Sequence, residues 1–351
     1  MLKELKVRNL KSIEDLEISF KPLNLFIGTN SAGKSTVIQA LLLCAQNAKK
    51  ECGLNGELIK LGDYREVKCS YSDYQETEIV LNHSAEQYAN LIFISNEPEI
   101  HFHGDALLRS LDYTNMNFQY LSGQRVGPQK IYDKNMSLND QLGIDGRYAI
   151  SYLQTNGDKS VSETLCKNNA SSTLLSQVNW WLKYIMDTEI STQEVTGADK
   201  VLAFYSCGEL NDLRPDNVGA GISYLVSVLV ECLASPENGI VAVENPEIHL
   251  HPAAQSKLCE FLYFIAQSGR QLFIETHSDH IFNGFRAGIA TGDMDKNNIQ
   301  INFLYMNEEH LTENEVVDIG RMGRIENPRK DMFDQFDLDL NRMIGLRRPK
   351  S

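Results

Sequence analysis

The sequence predicts an α/β architecture: a parallel sheet carrying a phosphate-binding loop, with an antiparallel β-subdomain and a helical lobe added to it. Three observations predict it. The stretch Gly28-Thr29-Asn30-Ser31-Ala32-Gly33-Lys34-Ser35-Thr36 has the spacing G-x-x-x-x-G-K-[ST]. A short apolar run, Leu23-Asn24-Leu25-Phe26-Ile27, enters that loop, and Val37, Ile38, Leu41, Leu42, Ala45 and Ala48 follow at helical spacing. Two more apolar runs, Ile240–Val243 and Gln271–Ile274, each meet an acid at their ends, Glu244 and Glu275; strands buried on both faces of a parallel sheet read this way.

The chemistry of the loop explains its letters. Glycines let successive backbone N–H groups turn inward as an anion nest, where side chains would obstruct. A strand, this loop and a helix set the helix N-terminus against phosphate. The candidate phosphate-binding residues are therefore Gly28, Asn30, Ser31, Ala32, Gly33, Lys34, Ser35 and Thr36. Lys34 brings a point charge to the terminal phosphates, and the Ser35 hydroxyl suits Mg²⁺.

Composition narrows the partners. The 351 residues are 42% hydrophobic and 23% charged, with a formal net charge of −14. Nucleic-acid binding leans on Lys and Arg neutralising phosphates, so a chain this acidic has little general affinity for DNA or RNA. Nucleic acid would need a local basic groove, most simply one made by two copies. The longest apolar run, Ile222–Ala234, is interrupted by Glu231 and too short to span a bilayer, so no membrane role is expected. Seven scattered cysteines without a C-x-x-C pair point to reduced thiols and a cytoplasmic protein.

Residues 1–27 read as two strands and a turn, then the strand that enters the loop. The turn Arg8–Ser12 either sits beside the nucleotide or is an ordinary polar turn. From Gly53 to Gly104 five β-like segments recur: 57–61, 66–71, 76–81, 89–94 and 99–102. His101 and His103 share a strand face there, without the further ligands a metal needs. Residues 105–235 read as a helical lobe, with Trp180 and Trp181 on an amphipathic helix and Arg125 in a Gly/Pro-rich loop. Arg125 is open to three readings: phosphate, a dimer partner or solvent. Asn217-Val218-Gly219-Ala220-Gly221-Ile222-Ser223 opens an apolar helix with exposed N–H groups, a second start suited to phosphate at Gly219, Gly221 and Ser223. Glu244, at the end of a buried strand, is placed to hold Mg²⁺ with Ser35; His277 would arrive beside it.

In order along the chain, Gly28–Thr36, Gly219-x-Gly221-x-Ser223, Glu244-Asn245-Pro246-Glu247-x-His249-Leu250-His251-Pro252 and Thr276-His277-Ser278 resemble the motifs of ABC-type ATPase heads among the P-loop NTPases. The similarity is closer to the RecF/SMC-like branch that includes the OLD-type nucleases and ATPases of bacterial anti-phage defence systems. Arg321–Ile325 through Met332–Phe336 resembles a short C-terminal region carried by some of these ATPases.

The resemblance implies ATP and Mg²⁺ as ligands and a head-to-tail homodimer, in which one copy's Gly219–Ser223 closes on its neighbour's γ-phosphate. Glu244, Asn245, His277 and Lys34 then form the catalytic group, with His277 as the phosphate-sensing switch and His249–Pro252 as the loop across the dimer seam. Zinc pairs at His249/His251 or His277/His280 are the rival reading of these histidines. The implied activity is that of an ATPase switch subunit acting on a separately encoded effector, a nuclease or toxin. Its alternatives are an ATP sensor that scarcely hydrolyses and a DNA-repair-type ATPase.

Two departures matter. Asn245 stands where the class usually has a second acid, and an amide is a poor proton acceptor; either turnover is slow or another residue, such as Glu247 or His277, helps. After Asn302–Tyr305, read as the final core strand, about 46 residues remain, so the metal-dependent nuclease domain of OLD enzymes is not expected. Residues 1–310 read as one ATPase domain and 311–351 as a docking region, with Met332, Phe333, Phe336, Leu340, Met343 and Ile344 on one helix face. Asp331, Asp334, Asp337 and Asp339 spread around that helix as a solvated face.

Overall fold

The computed structural model describes residues 1–136, 141–329, 332–333 and 335–344. The chain opens with the hairpin β1 (Glu4–Leu10) and β2 (Ile13–Ser19), then β3 (Leu23–Gly28), the glycine loop and α1 (Lys34–Lys49). One helical turn, α2 (Tyr64–Val67), precedes β4 (Thr77–Ser84), β5 (Gln87–Phe93) and β6 (Pro98–His103). The short helix α3 (Asp105–Ser110) leads to β7 (Phe118–Leu121). The next segment holds β8 (Tyr132–Asp133), α4 (Ala149–Asn156), α5 (Leu174–Met186), β9 (Thr188–Glu194), β10 (Lys200–Cys207), β11 (Leu210–Leu213) and α6 (Ala220–Ala234). Then come β12 (Ile240–Glu244), α7 (Pro252–Gln267), β13 (Gln271–Glu275), α8 (Asp279–Thr291), β14 (Ile299–Met306), β15 (Thr312–Val316) and α9 (Gln335–Met343).

The central sheet has the order β15-β14-β3-β13-β12-β7, parallel except for β15. Gly28, Glu275, Glu244 and Leu121 therefore end up along one edge, at the carboxyl ends where α/β sheets hold ligands. Its strands are buried on both faces. Leu25, Ile27, Val241, Val243, Leu272 and Ile274 face α6, α7 and α8, while Phe26, Ile240, Ala242, Phe273 and Leu304 face α1 and the second sheet. Phe20 meets Phe273 edge to face at 4.8 Å, joining the two layers. The second sheet is antiparallel, β2-β1-β4-β5-β6, and covers α1. The architecture read from the sequence is the one found: a phosphate-loop α/β core with antiparallel sheets and helices added.

Particular elements differ. Residues 66–71 are not a strand, because Asp63 and Glu66 form a reciprocal cap that winds Tyr64–Val67 into a helical turn. Residues 57–61 contribute a single bridge, Asn55 to Lys60. The segment read as a helical lobe also carries the antiparallel strands β9, β10 and β11, with β8 beside them. Asn302–Tyr305 is not the last strand of the sheet: β15 pairs antiparallel with β14, Asn302 opposite Val316. Beyond it, Met332 is buried and Phe333 lies against Phe282 at 5.2 Å, but Leu340, Met343 and Ile344 are exposed, so among the described side chains the expected apolar docking face is covered at its start and open at its end. Asp331 and Asp334 lie outside the described residues, as do the side chains of Phe336 and Asp337. Asp339 pairs with Arg342 at 3.5 Å.

A buried acid in α6 gives a pH signature. Glu231 is 3% exposed, its Oε2 has no hydrogen-bond partner, and burial pushes its pKa up to about 8, against a smaller pull from Arg125. A carboxyl raised on folding lends stability that is full below about pH 4.5 and is lost as pH rises to about 8, at up to about 1.4 kcal/mol per unit. Glu231→Gln is expected to flatten this decline, raising Tm at pH 8 more than at pH 5. Thermal melts at the two pH values check it.

Candidate nucleotide-binding site

The glycine loop takes the backbone shape its residues permit. Gly28 and Gly33 have φ of 141° and 89°, and Ser31 has 62°. Space demands glycine as well: a Cβ on Gly28 would lie 1.9 Å from the Leu304 carbonyl oxygen, and one on Gly33 would lie 2.6 Å from Thr312 Oγ1. Gly33 caps α1, so the free N–H groups of Lys34, Ser35 and Thr36 point out of the helix start. Lys34 is 3% exposed, and its ammonium donates to the carbonyls of Gly28 (3.0 Å) and Thr29 (2.6 Å), which places it across the loop mouth. Burial lowers its pKa, with Glu275 acting in the opposite sense.

The turn Arg8–Ser12 sits beside this loop. Ser12 Oγ is 2.8 Å from Thr312 Oγ1, the atom under Gly33, and Lys11 Nζ donates to Gln39 of α1 at 2.6 Å.

Carboxylates converge from the strand ends. The Ser35 hydroxyl donates to Glu275 Oε1 at 2.8 Å. Glu275 is 3% exposed, and burial raises its pKa to about 7; Glu244 and Glu247 push it further up, while the Ser35 bond and Lys34 pull it down. Glu244 is bound otherwise than the sequence suggests. Its Oε1 accepts from the Tyr120 hydroxyl at 2.9 Å and its Oε2 from the Gly123 N–H at 3.0 Å, so both oxygens are engaged and neither is bonded to Ser35. Glu275 is the site residue that sequence reasoning missed. The available signal was its place at the end of an apolar strand, the same signal that singled out Glu244.

Arg125 is not on the surface. It is 8% exposed and donates to the carbonyls of Glu244 and Asn245, holding the turn where Asn245 adopts φ of 45°. Burial lowers its pKa to about 10, against the nearby Glu247 and Glu244 carboxylates. Beyond the turn, Glu247 Oε1 accepts from Thr276 Oγ1 at 2.7 Å and from the His277 N–H at 3.3 Å. The His277 ring is about half exposed, with Nε2 4.0 Å from Glu275 Oε1, and its pKa is lowered by burial and then by Lys34. Ser278 caps α8 through the N–H groups of His280 and Ile281.

Glu275 Oε2, the carboxylate oxygen not bonded to Ser35, is buried without a donor, as are Asn245 Oδ1 and Glu247 Oε2 in the turn after β12; the Glu275 carboxylate beside the Ser35 hydroxyl is the pair placed for a cation. A hydroxyl and a carboxylate, both oxygen donors, fit a hard divalent cation and its water shell. The zinc readings gain nothing, since among the described residues no three His, Cys, Asp or Glu side chains are grouped to hold a metal. His249 instead lies over Tyr224 at 5.1 Å, and His251 caps α7 by accepting from Ala253 N–H at 3.3 Å.

The second glycine segment stands apart from this cluster in what it offers. Gly219 is exposed, and a Cβ there would meet nothing within 4 Å. Gly221 is buried, where a Cβ would come within 2.5 Å of the His249 carbonyl oxygen, so its glycine serves close packing. Ser223 is 5% exposed with its hydroxyl 3.3 Å from Tyr205 Oη, turned inward. The surface open to a ligand is therefore the helix start at Gly219–Ala220.

Residues 1–84 and 117–282 match the AAA ATPase domain family AAA_15. The chain belongs to that family. A P-loop ATPase of this family binds ATP with Mg²⁺ and hydrolyses it. Two solved structures are similar to this AAA ATPase in fold. One is an SMC head bound to the C-terminal winged-helix domain of ScpA: 12% identity, TM-score 0.58, covering 91% of this chain and 98% of that one. The other is an SMC head with an extended coiled coil bound to the C-terminal domain of ScpA, from Pyrococcus furiosus: 11% identity, TM-score 0.51, covering 98% and 99%. No curated protein matches the sequence. Among the described residues no helix is long and apolar enough to cross a membrane.

Proposed function

We propose that this AAA ATPase is a dimeric switch: two copies enclose Mg·ATP, and the closed state controls a separately encoded effector in anti-phage defence. The observation that carries the dimer is the exposed helix start at Gly219, a set of N–H groups with room for an anion and no side chain in the way. Lys34 and the N–H groups of residues 33–36 hold the β- and γ-phosphates of one copy, and the partner's Gly219–Ala220 N–H groups complete the cage. Mg²⁺ neutralises the phosphate oxygens when bound, and Ser35 and Glu275 are the residues that would hold it, in place of the Ser35–Glu244 pair expected from the sequence. His277 reads the γ-phosphate. The defence setting rests on the resemblance of the motif set.

Asn245 makes the switch slow. With an amide at this position, turnover is expected at or below about 1 per second, the low end for enzymes. Asn245→Asp supplies a second proton acceptor on the same frame and tolerates the left-handed backbone. Phosphate release should then rise about tenfold or more, within the range general-base catalysis provides, and the ATP-held dimer should dissociate faster. Unchanged turnover would remove Asn245 from the timing of the switch. Co-purification with and without ATP, read by mass spectrometry, tests for the effector.

A further inference from the structure

Asn245 leaves hydrolysis without its usual proton acceptor, and the site holds a carboxylate placed to supply one. Glu247 lies two residues further on, in the turn between β12 and α7. Its Oε1 is hung from the Thr276–His277 corner by two donors, at 2.7 Å and 3.3 Å, and Thr276 is itself fully buried. Its Oε2 is buried and accepts no hydrogen bond. One oxygen is thus fixed and the other left free, as a base needs in order to hold its aim while taking a proton.

The other candidates are engaged. Both oxygens of Glu244 are taken, by Tyr120 and by the Gly123 N–H. Glu275 is bonded to Ser35, on the metal side of the site. The His277 imidazole is about half exposed and, among the described residues, its ring makes no hydrogen bond; Nε2 lies 4.0 Å from Glu275 Oε1.

We propose that Glu247 is the proton acceptor of ATP hydrolysis in this protein. The assignment rests on the ATPase reading above. Water loses a proton to Glu247 Oε2 as its oxygen forms the bond to the γ-phosphorus. The bond from that phosphorus to the β,γ-bridging oxygen breaks, and its electron pair leaves with ADP. The proton passes from Glu247 to solvent as ADP and inorganic phosphate depart. Burial raises the Glu247 pKa, against Arg125 and the two hydrogen bonds, and this brings the carboxylate nearer to the working pH of a general base.

Phosphate release and fluorescent-ATP affinity should be measured for the parent, Glu247→Gln, and Glu247→Gln combined with Asn245→Asp, with a thermal melt of each. Glu247→Gln should lose about 100-fold or more in turnover while nucleotide affinity stays within about threefold. Adding Asn245→Asp should restore at least about tenfold, because a carboxylate again faces the water. Glu247→Gln turnover within about fivefold of the parent overturns the assignment. So does a loss that Asn245→Asp fails to restore while both variants melt like the parent, because Glu247 would then be a strut of the Thr276–His277 corner. A parent that does not bind ATP defeats the ATPase reading itself; a parent that binds and hydrolyses ATP, with Glu247→Gln unaffected, defeats this assignment alone.

Discussion

Replacing Lys34 by alanine is expected to weaken Mg·ATP binding by about 100-fold or more while leaving the fold intact. The ammonium now bonds the carbonyls of Gly28 and Thr29, at the mouth of the loop, and turns to the phosphates when they arrive. Hydrogen bonds to charged groups contribute about 1.5–3 kcal/mol each, so the loss of two corresponds to a factor of about 100 to 10,000. Burial adds to the effect. At 3% exposure Lys34 carries its charge in a place that water does not screen. Alanine is a good residue for the first turn of α1, so Tm should move by a few degrees at most. Titration calorimetry with an ATP analogue and Mg²⁺ gives the affinity, and a melt of the same sample checks the fold.

Gly28→Val is expected to remove the fold itself, by more than about 4 kcal/mol. Two causes act together. A φ of 141° lies where β-branched residues are strained. The new Cβ would also sit 1.9 Å from the Leu304 carbonyl oxygen, on the strand that pairs in parallel with β3 at that residue. Relief would require β14 to leave β3 and open the sheet beneath the phosphate loop. Trp181, 2% exposed in the helical layer, reports this through its fluorescence in a denaturant titration. A midpoint equal to that of the parent would mean the loop can relax without disturbing the sheet.

The contrast between these two glycine-loop positions explains what the sequence made legible. Apolar runs buried on both faces, such as Ile240–Val243 and Leu272–Ile274, carry their own signature, so β12 and β13 could be placed almost to the residue. The phosphate loop was legible because its spacing is a direct record of backbone geometry. Strand β9, Thr188–Glu194, was not, since its solvent face is polar and its apolar content is a single Ile190. Glu275 was overlooked for a different reason. Which of two acids at neighbouring strand ends meets Ser35 depends on strand order, and β13 rather than β12 lies next to β3. Arg125 could not be assigned from its loop for the same cause, because its partners are carbonyls about 120 residues away. The inward turn of Ser223 toward Tyr205 likewise depends on how β10 packs against α6.

If each copy lends its Gly219 helix start to the other's triphosphate, Gly219→Asp should abolish the dimer and spare nucleotide binding. The position has room for a side chain, so the fold should tolerate it, while a carboxylate there would repel a γ-phosphate. Sedimentation velocity with Mg²⁺ and a non-hydrolysable ATP analogue should show the parent at twice its monomer mass and Gly219→Asp as a monomer that still binds nucleotide. A parent that stays monomeric with nucleotide bound, or a Gly219→Asp chain that dimerises as the parent does, would mean that the Gly219 helix start does not close on a second copy's nucleotide.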